Sequence, residues 1–125
     1  MAARRRWLVD GSNVVGSRPD GWWRDRPAAF ARLADELGEL AERSGDEVTV
    51  VFDGRRTGAP GTTVEVIYAA SADDRMVELV TAEDDPGSVT AVTSDRVLAG
   101  RLRQAGAGAV VGSGTFRRLL DPDPG

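Results

Sequence analysis

Aspartates stand where three predicted strands end. Asp10 closes the run WLVD, Asp53 closes VVFD and Asp95 closes VTSD, while Asp73 and Asp74 fall in the first turn of a predicted helix. In an open parallel sheet, ligands bind beyond the carboxyl ends of the strands, near a switch in strand order. We therefore expect three or more of these carboxylates to form one acidic cluster.

Clustered carboxylates repel one another, and a divalent cation relieves that repulsion. Carboxylate oxygens suit hard cations such as Mg²⁺ or Mn²⁺. A cation held in this way lowers the pKa of a bound water and stabilises charge on a phosphate, which is the chemistry of phosphodiester hydrolysis. The acidic cluster therefore predicts a metal-dependent hydrolase.

Each aspartate also has an ordinary structural interpretation. An aspartate after a strand commonly forms a turn or caps a helix, and Ser94-Asp95 would cap its helix well. Asp73 and Asp74 could simply complement a helix dipole. Asp10 and Asp53 fit the structural interpretation less well, because each precedes a glycine and a predicted loop rather than a helix.

The amino-acid composition excludes several other chemistries. Cysteine and histidine are absent and all 16 basic residues are arginine, which excludes disulfides, zinc fingers, thiol nucleophiles, imidazole-based triads, the P-loop lysine and Schiff bases. The absence of lysine also disfavours phospho-receiver domains. A net charge of −4 argues against tight nonspecific binding of nucleic acid. A protein with this net charge can still carry a local rim of basic residues.

The elements that must position these residues alternate between strand and helix. The 125 residues predict one domain over 1–120 and a disordered tail over 121–125. The predicted fold is a three-layer α/β/α sandwich with a mostly parallel five-stranded sheet. The predicted strands are 6–10, 47–53, 63–68, 89–93 and 107–111, with the third near an edge; the predicted helices are 26–43, 72–83, 96–105 and 115–120, and 11–24 is a predicted loop.

Arginines and tryptophans near the strand ends suggest contacts to phosphates and unpaired bases. Arg55 and Arg56 follow Asp53 and would form either a phosphate clamp or a solvated turn, and Arg96 would contact phosphate or pair with a carboxylate. Of the adjacent Trp22 and Trp23, we expect one to pack against the start of the long helix and Trp23 to stack on an unpaired base. The start of the chain lacks the apolar run of a signal peptide, and no run is long enough for a membrane span, so we expect a cytoplasmic location and no membrane partner.

Four motifs in register carry a family resemblance. DGSNVVG at 10–16, VVFDG at 50–54, ADDRMVE at 72–78 and TSDR at 93–96, followed by AGAGAVVGSGTFRRLL, resemble the NYN domains. These are PIN-like metal-dependent ribonucleases, and the resemblance is to their YacP-like branch over about residues 6–120. It implies a PIN-like fold, a Mg²⁺ or Mn²⁺ cofactor and an RNA substrate.

The resemblance also implies roles for single residues. Asp10 and Asp95 match metal ligands, and Asn13 matches a polar neighbour that orders the site. The acidic start of the family's helix matches Asp73 or Asp74, and one sequence does not decide between them.

Asp53 matches the family's F-D-G motif, as a metal ligand or as a residue that shapes the loop. Some YacP-like proteins act on ribosome-associated messenger RNA, so the ribosome or the RNA-decay machinery is an expected partner. This chain is shorter than typical YacP-like proteins, with a compact loop before the acidic helix.

The favoured interpretation is a metal-dependent endoribonuclease that hydrolyses single-stranded RNA; a toxin of the PIN family is a variant within that class. Two alternatives from other classes stay open. One is a catalytically weak RNA-binding module recruited to a ribosome or RNA-decay complex, and the other is a flavodoxin-like nucleotide-binding domain. The sequence leaves the oligomeric state open, a homodimer included.

Overall fold

A computed structural model of the chain describes residues 5–18, 20–54 and 64–121. The strands are β1 (Arg6–Asp10), β2 (Glu47–Asp53), β3 (Glu65–Ala69), β4 (Val89–Val92) and β5 (Ala109–Val111). The helices are α1 (Gly11–Gly16), α2 (Arg26–Ser44), α3 (Ala72–Ala82), α4 (Arg96–Ala105) and α5 (Ser113–Leu120), with short 3₁₀ turns at Trp22–Arg24 and Pro86–Ser88.

The five strands form one sheet in the order β3-β2-β1-β4-β5, and every neighbouring pair is parallel. The strand order reverses between β1 and β4, which makes the carboxyl ends of these two strands the topological switch point where ligands bind in such sheets. The order differs from the flavodoxin-like order 2-1-3-4-5, so the flavodoxin-like alternative is wrong. β3 lies at an edge of the sheet, as predicted.

Helices cover both faces of the sheet, because alternate strand residues point to opposite sides. Trp7 and Val9 of β1 pack with Phe30 and Leu37 of α2 and with Phe116 of α5 on one face. The opposite face buries residues of α3 and α4 against the strands, among them Leu8, Val51, Met76, Leu98 and Leu102. The predicted three-layer sandwich is therefore confirmed, with a sheet that is fully parallel in the described part of the chain.

The segment 11–24, predicted as a loop, instead contains α1 and a 3₁₀ turn. The six residues GSNVVG have weak helix propensity, but Val14 and Val15 are buried against the core, and this tertiary packing supports the helix. Strand β5 begins two residues later than predicted, and α5 begins two residues earlier. The compact loop predicted before the acidic helix is the two residues 70–71 between β3 and α3. The segment 55–63 and the tail at 122–125 lie outside the described residues.

Within the described ranges, no helix has the length and apolar character required to cross a membrane.

Candidate functional site

The alternation of side chains along β1 and β2 directs two of the predicted site residues to the same side of the sheet. Asp10 follows Leu8, and Asp53 follows Val51, onto the face that α3 and α4 cover. Both aspartates stand at the carboxyl ends of their strands. Strand alternation and the switch point together bring the carboxylates of β1 and β2 to the beginnings of α3 and α4.

Asp10 is the buried centre of this edge, with 4% of its surface exposed. Its Oδ2 accepts a hydrogen bond from Thr93 Oγ1 at 2.9 Å, and its Oδ1 accepts one from the Asn13 amide at 3.3 Å. Burial raises the pKa of Asp10 from 3.8 to about 6; the Thr93 and Asn13 hydrogen bonds oppose that rise, and the charges of Asp73 and Asp53 add to it.

The bond from Asn13 makes Asp10 the N-cap of α1. The argument that a loop follows Asp10 was therefore wrong. Asp10 is a helix cap and a member of the acidic edge at the same time.

Asp73 and Asp74, the two neighbouring aspartates of α3, have different surroundings. Burial, together with the charges of Asp95 and Asp53, raises the pKa of Asp73. Asp74 is exposed, and its Oδ1 lies 2.9 Å from Nη2 of Arg101 in an ion pair. Asp73 is thus the residue of this pair that interacts with the other carboxylates.

Asp53 and Asp95 both have a structural role within the acidic edge. Asp53 Oδ1 accepts a hydrogen bond from the Ala72 amide at 2.9 Å, which ties the end of β2 to the start of α3. Asp95 Oδ1 caps α4 by accepting from two amides of its first turn at 2.9 and 3.0 Å. Each of these carboxylates uses one oxygen in a bond to the backbone, and no hydrogen bond to its second oxygen is found among the described residues.

Hydroxyl and amide groups link the separate segments of the site. Thr93 Oγ1, which donates to Asp10, also accepts from the Asp95 amide at 3.1 Å. Asn13 Oδ1 accepts from the Ser94 amide at 2.9 Å and from Ser113 Oγ at 2.5 Å. These bonds fix the ends of β1 and β4 relative to the start of α5.

Sequence reasoning missed Thr93, Ser94 and Ser113 as parts of the site. Thr93 and Ser94 directly precede Asp95 in the motif TSDR, and that position was an available signal. Ser113 is fully buried and lies 100 residues from Asn13 in sequence. No local pattern indicates that contact.

The oxygen donors at this edge have the chemistry that a hard divalent cation requires. Among the described residues, Asp10, Asp53, Asp73 and Asp95 form no ion pair with an arginine. The charge of Arg101 partly offsets the rise in the pKa of Asp73. In the side-chain arrangement of the described chain, no three acidic side chains stand close enough together to hold an ion. The donor set fits Mg²⁺ or Mn²⁺ in type and charge, and binding requires these side chains to move closer.

The structure describes the positions of some of the residues predicted to contact RNA. Trp22 is partly buried and packs against the core, whereas Trp23 is 56% exposed, with the Arg24 guanidinium 5.9 Å from its ring centre. Arg96 is exposed and has no ion pair within the described ranges. Arg55 and Arg56 lie outside the described residues.

A second concave site lies at the opposite edge of the sheet, near the amino ends of β1 and β2. Its walls include Arg6, Glu47 and Glu83. The Arg6 guanidinium binds both oxygens of Glu83 at 2.6 and 2.9 Å and one oxygen of Glu47 at 3.1 Å. The arginine charge is already neutralised there, so this pocket offers no free cation to a phosphate.

The family model described as "YacP-like NYN domain" matches residues 7–121. The chain belongs to this family. NYN domains are PIN-like nucleases, and at that coarse level the chain is a nuclease-type domain with RNA as its implied substrate. No curated protein matches the chain.

The YacP-like NYN domain is also similar to two solved structures of Rae1 (YacP) from Bacillus subtilis. A mutant of Rae1 superposes with a TM-score of 0.80 at 25% identity, over 94% of this chain and 75% of that chain. The second Rae1 structure has a TM-score of 0.76 at 25% identity, over 92% of this chain and 72% of that chain. The predicted PIN-like fold is thereby confirmed.

Proposed function

We propose that this protein is a metal-dependent endoribonuclease that hydrolyses phosphodiester bonds of single-stranded RNA. One observation carries the proposal. Asp10 is buried at the switch point of the sheet, with 4% of its surface exposed, and Thr93 links its carboxylate to the backbone of Asp95, while the charges of Asp73 and Asp53 act on the same carboxylate. Membership of a PIN-like nuclease family supports the same reaction class.

In this proposal, Asp10, Asp73 and Asp95 hold Mg²⁺ or Mn²⁺, and Asp53 either joins them or fixes the start of α3. The bound ion supplies activation of a water and stabilisation of charge on the phosphate. Asp74 is left out of the ligand set, because its carboxylate is engaged by Arg101 at 2.9 Å.

The uncharged residues of the site act by positioning the carboxylates. Thr93 bonds both to Asp10 and to the backbone of Asp95, so it fixes the position of Asp10 relative to Asp95. Asn13 is fixed by bonds from Ser94 and Ser113. Positioning of this kind limits the reorganisation that must accompany reaction.

The proposed RNA contacts come from the rim of the site. Arg96 follows Asp95 directly, and we assign it to a phosphate next to the bond that is cut, with Arg55 and Arg56 as further phosphate contacts. The exposed ring of Trp23 is available to stack on an unpaired base. A single strand presents such bases, which is why we assign this substrate class rather than a duplex.

The partners and the location of the protein stay predictions. The YacP-like resemblance favours an RNA bound at the ribosome or in an RNA-decay complex. The sequence favours a cytoplasmic location.

The test is cleavage of a labelled unstructured RNA in Mn²⁺, in Mg²⁺ and in EDTA. The wild type should cut only with a divalent ion, and Asp10→Asn should not cut. Asp84→Asn is the matched control, because it makes the same chemical change at an exposed residue outside the site.

Cutting that survives Asp10→Asn or EDTA would contradict the nuclease assignment. Binding of RNA without metal-dependent cutting would support the alternative of an RNA-binding module that works by recruitment.

A further inference from the structure

A shallow groove leads away from the carboxylate edge between α4 and β5. We call it the α4 groove. One end is formed by Thr93 and Asp95, where the acidic edge begins, and the far end is formed by Arg103. Arg96, Ala99 and Val110 line the path between them. The groove is thus continuous with the candidate metal site.

Two arginines stand on the same side of the groove. Arg96 and Arg103 are seven residues apart on α4, which is nearly two helical turns, so their side chains share one face. Ala99 lies between them and is buried. Its small side chain keeps the floor of the groove low between the two guanidinium groups.

The charges of these two arginines are not used inside the described part of the protein. Both residues are exposed, and neither side chain has a hydrogen bond or an ion pair to a described residue. Arg101, on the same helix, instead pairs with Asp74 at 2.9 Å. The lining of the α4 groove therefore holds two arginines without an ion pair among the described residues and one carboxylate, that of Asp95.

We propose that the α4 groove binds the backbone of the RNA strand as it leaves the carboxylate site, with Arg96 and Arg103 on different phosphates. This inference rests on the proposed function, because it takes the substrate to be a single RNA strand. The Cα atoms of the two arginines are separated by about 10 Å along the helix axis, a spacing that suits two phosphates of one strand better than a single phosphate.

The stretch of the groove between Arg96 and Arg103 predicts contacts to the backbone without base recognition. Ala99 and Val110, which line this stretch, present no hydrogen-bonding side chain, and guanidinium groups bind phosphate irrespective of the base attached to it. This stretch should therefore contribute affinity and register to the substrate, and no sequence preference.

The experiment measures binding of the full chain to a short, labelled, unstructured RNA in EDTA over a series of salt concentrations. Arg103→Ala and Arg96→Ala should each weaken binding about fivefold at low salt. Each should also reduce the magnitude of the negative slope of log K against log salt by ~0.7, the value for one phosphate contact on a single strand.

Two variants make the comparison specific. Arg32→Ala removes the same charge from an exposed residue of α2, whose nearest acidic partner is 3.8 Å away, and it should leave the slope unchanged. Arg103→Lys keeps the charge and should keep the slope. Circular dichroism of every variant confirms that the fold is intact.

The outcomes separate this inference from the proposed function. If Arg103→Ala has the affinity and slope of Arg32→Ala, the α4 groove is not the RNA path, even where Asp10→Asn abolishes cutting. If the slope falls as expected but no protein cuts RNA in Mn²⁺, the groove stands and the nuclease proposal fails. A wild type that does not bind the RNA at low salt overturns the groove.

Discussion

At the scale of single residues, Asp10 opposes the stability of the fold that contains it. Its pKa is raised from 3.8 to about 6 in the folded chain, so between these pH values the folded state holds a proton that the unfolded state has released. The contribution of Asp10 to the free energy of unfolding must therefore fall as pH rises from about 4 to about 6. The fall is about 2 kcal/mol over that interval and about 3 kcal/mol over the whole pH range.

The expected result is that Asp10→Asn is more stable than the wild type at pH 7, without metal, and loses this advantage near pH 4. Asparagine can still accept the Asn13 amide bond that caps α1, so the substitution removes the charge and retains the cap. Urea unfolding at several pH values measures the effect. A stability difference that is the same at pH 4 and pH 7 would contradict it.

Asp73 and Asp74 are adjacent, and their surroundings predict opposite outcomes for the same substitution. Asp73→Asn should lower kcat/KM for RNA on the order of 100-fold, because a lost metal ligand removes several kcal/mol of transition-state stabilisation. Asp74→Asn should change it only slightly, because that carboxylate is exposed and bonded to Arg101. Kinetics in Mn²⁺ measure both variants, and equal losses would show that the ion is held differently.

At the scale of elements, helix α1 sets the position of the site because it packs tightly on β2. A side chain at Gly11 would meet the Phe52 ring at 2.4 Å and Val50 at 2.8 Å. Gly11→Ala must therefore push α1 outward, and it should lower the free energy of unfolding by about 1–3 kcal/mol. Cleavage should fall as well, because Asp10 and Asn13 flank the displaced residue.

Gly100→Ala is the matched control for that substitution. Gly100 lies inside α4, where an added methyl group meets no atom within 4 Å. Its replacement should raise the free energy of unfolding by up to ~1 kcal/mol, through helix propensity alone. Urea denaturation of both variants provides the comparison, and a destabilised Gly100→Ala with a neutral Gly11→Ala would refute the packing argument.

The same elements show what the sequence could predict. Apolar periodicity placed the strands and the long helices. The rule for parallel sheets predicted one cluster of three or more aspartates: Asp10, Asp53 and Asp73 do affect one another through their charges, but no three acidic side chains of the described chain stand close enough together to hold an ion. Periodicity failed for α1, because six residues with two glycines and two valines have little intrinsic preference for helix. Burial and the Asp10 cap, which are tertiary effects, decide that segment.

The contact between Asn13 and Ser113 could not be predicted for a different reason. It joins residues 100 positions apart, and hydrophobic patterns determine faces and elements without determining which polar side chains meet. By contrast, Thr93 could have been inferred from its place between β4 and Asp95, since residues that directly follow a strand at the switch point lie beside the site.

At the scale of the whole molecule, the charge is divided between two edges of one sheet. At the edge near the amino ends of β1 and β2, Arg6 is neutralised by Glu47 and Glu83. At the carboxyl edge, Asp95 lies beside Arg96, which has no ion pair within the described chain. This division is compatible with the proposed binding of RNA at the carboxyl edge by a protein with a net charge of −4.

That division also predicts that a divalent cation stabilises the whole fold. A cation between the carboxylates offsets the repulsion that raises the pKa of Asp10 and Asp73, and it binds the folded chain alone. At 100 times its dissociation constant it should add about 2.7 kcal/mol to the free energy of unfolding, or roughly 10 °C in Tm. The shift should be smaller at pH 5 than at pH 7, because the ion must then displace a proton from Asp10.

Thermal unfolding with Mn²⁺, with Mg²⁺ and with EDTA measures this stabilisation. The wild type and Asp84→Asn should both show the metal-dependent rise, and Asp10→Asn should show almost none. Because the same substitution stabilises the metal-free protein at pH 7, the Asp10→Asn and wild-type Tm values should converge or cross as metal is added. Parallel curves would mean that the ion binds elsewhere, and a wild type that does not respond would remove the metal site from the proposed mechanism.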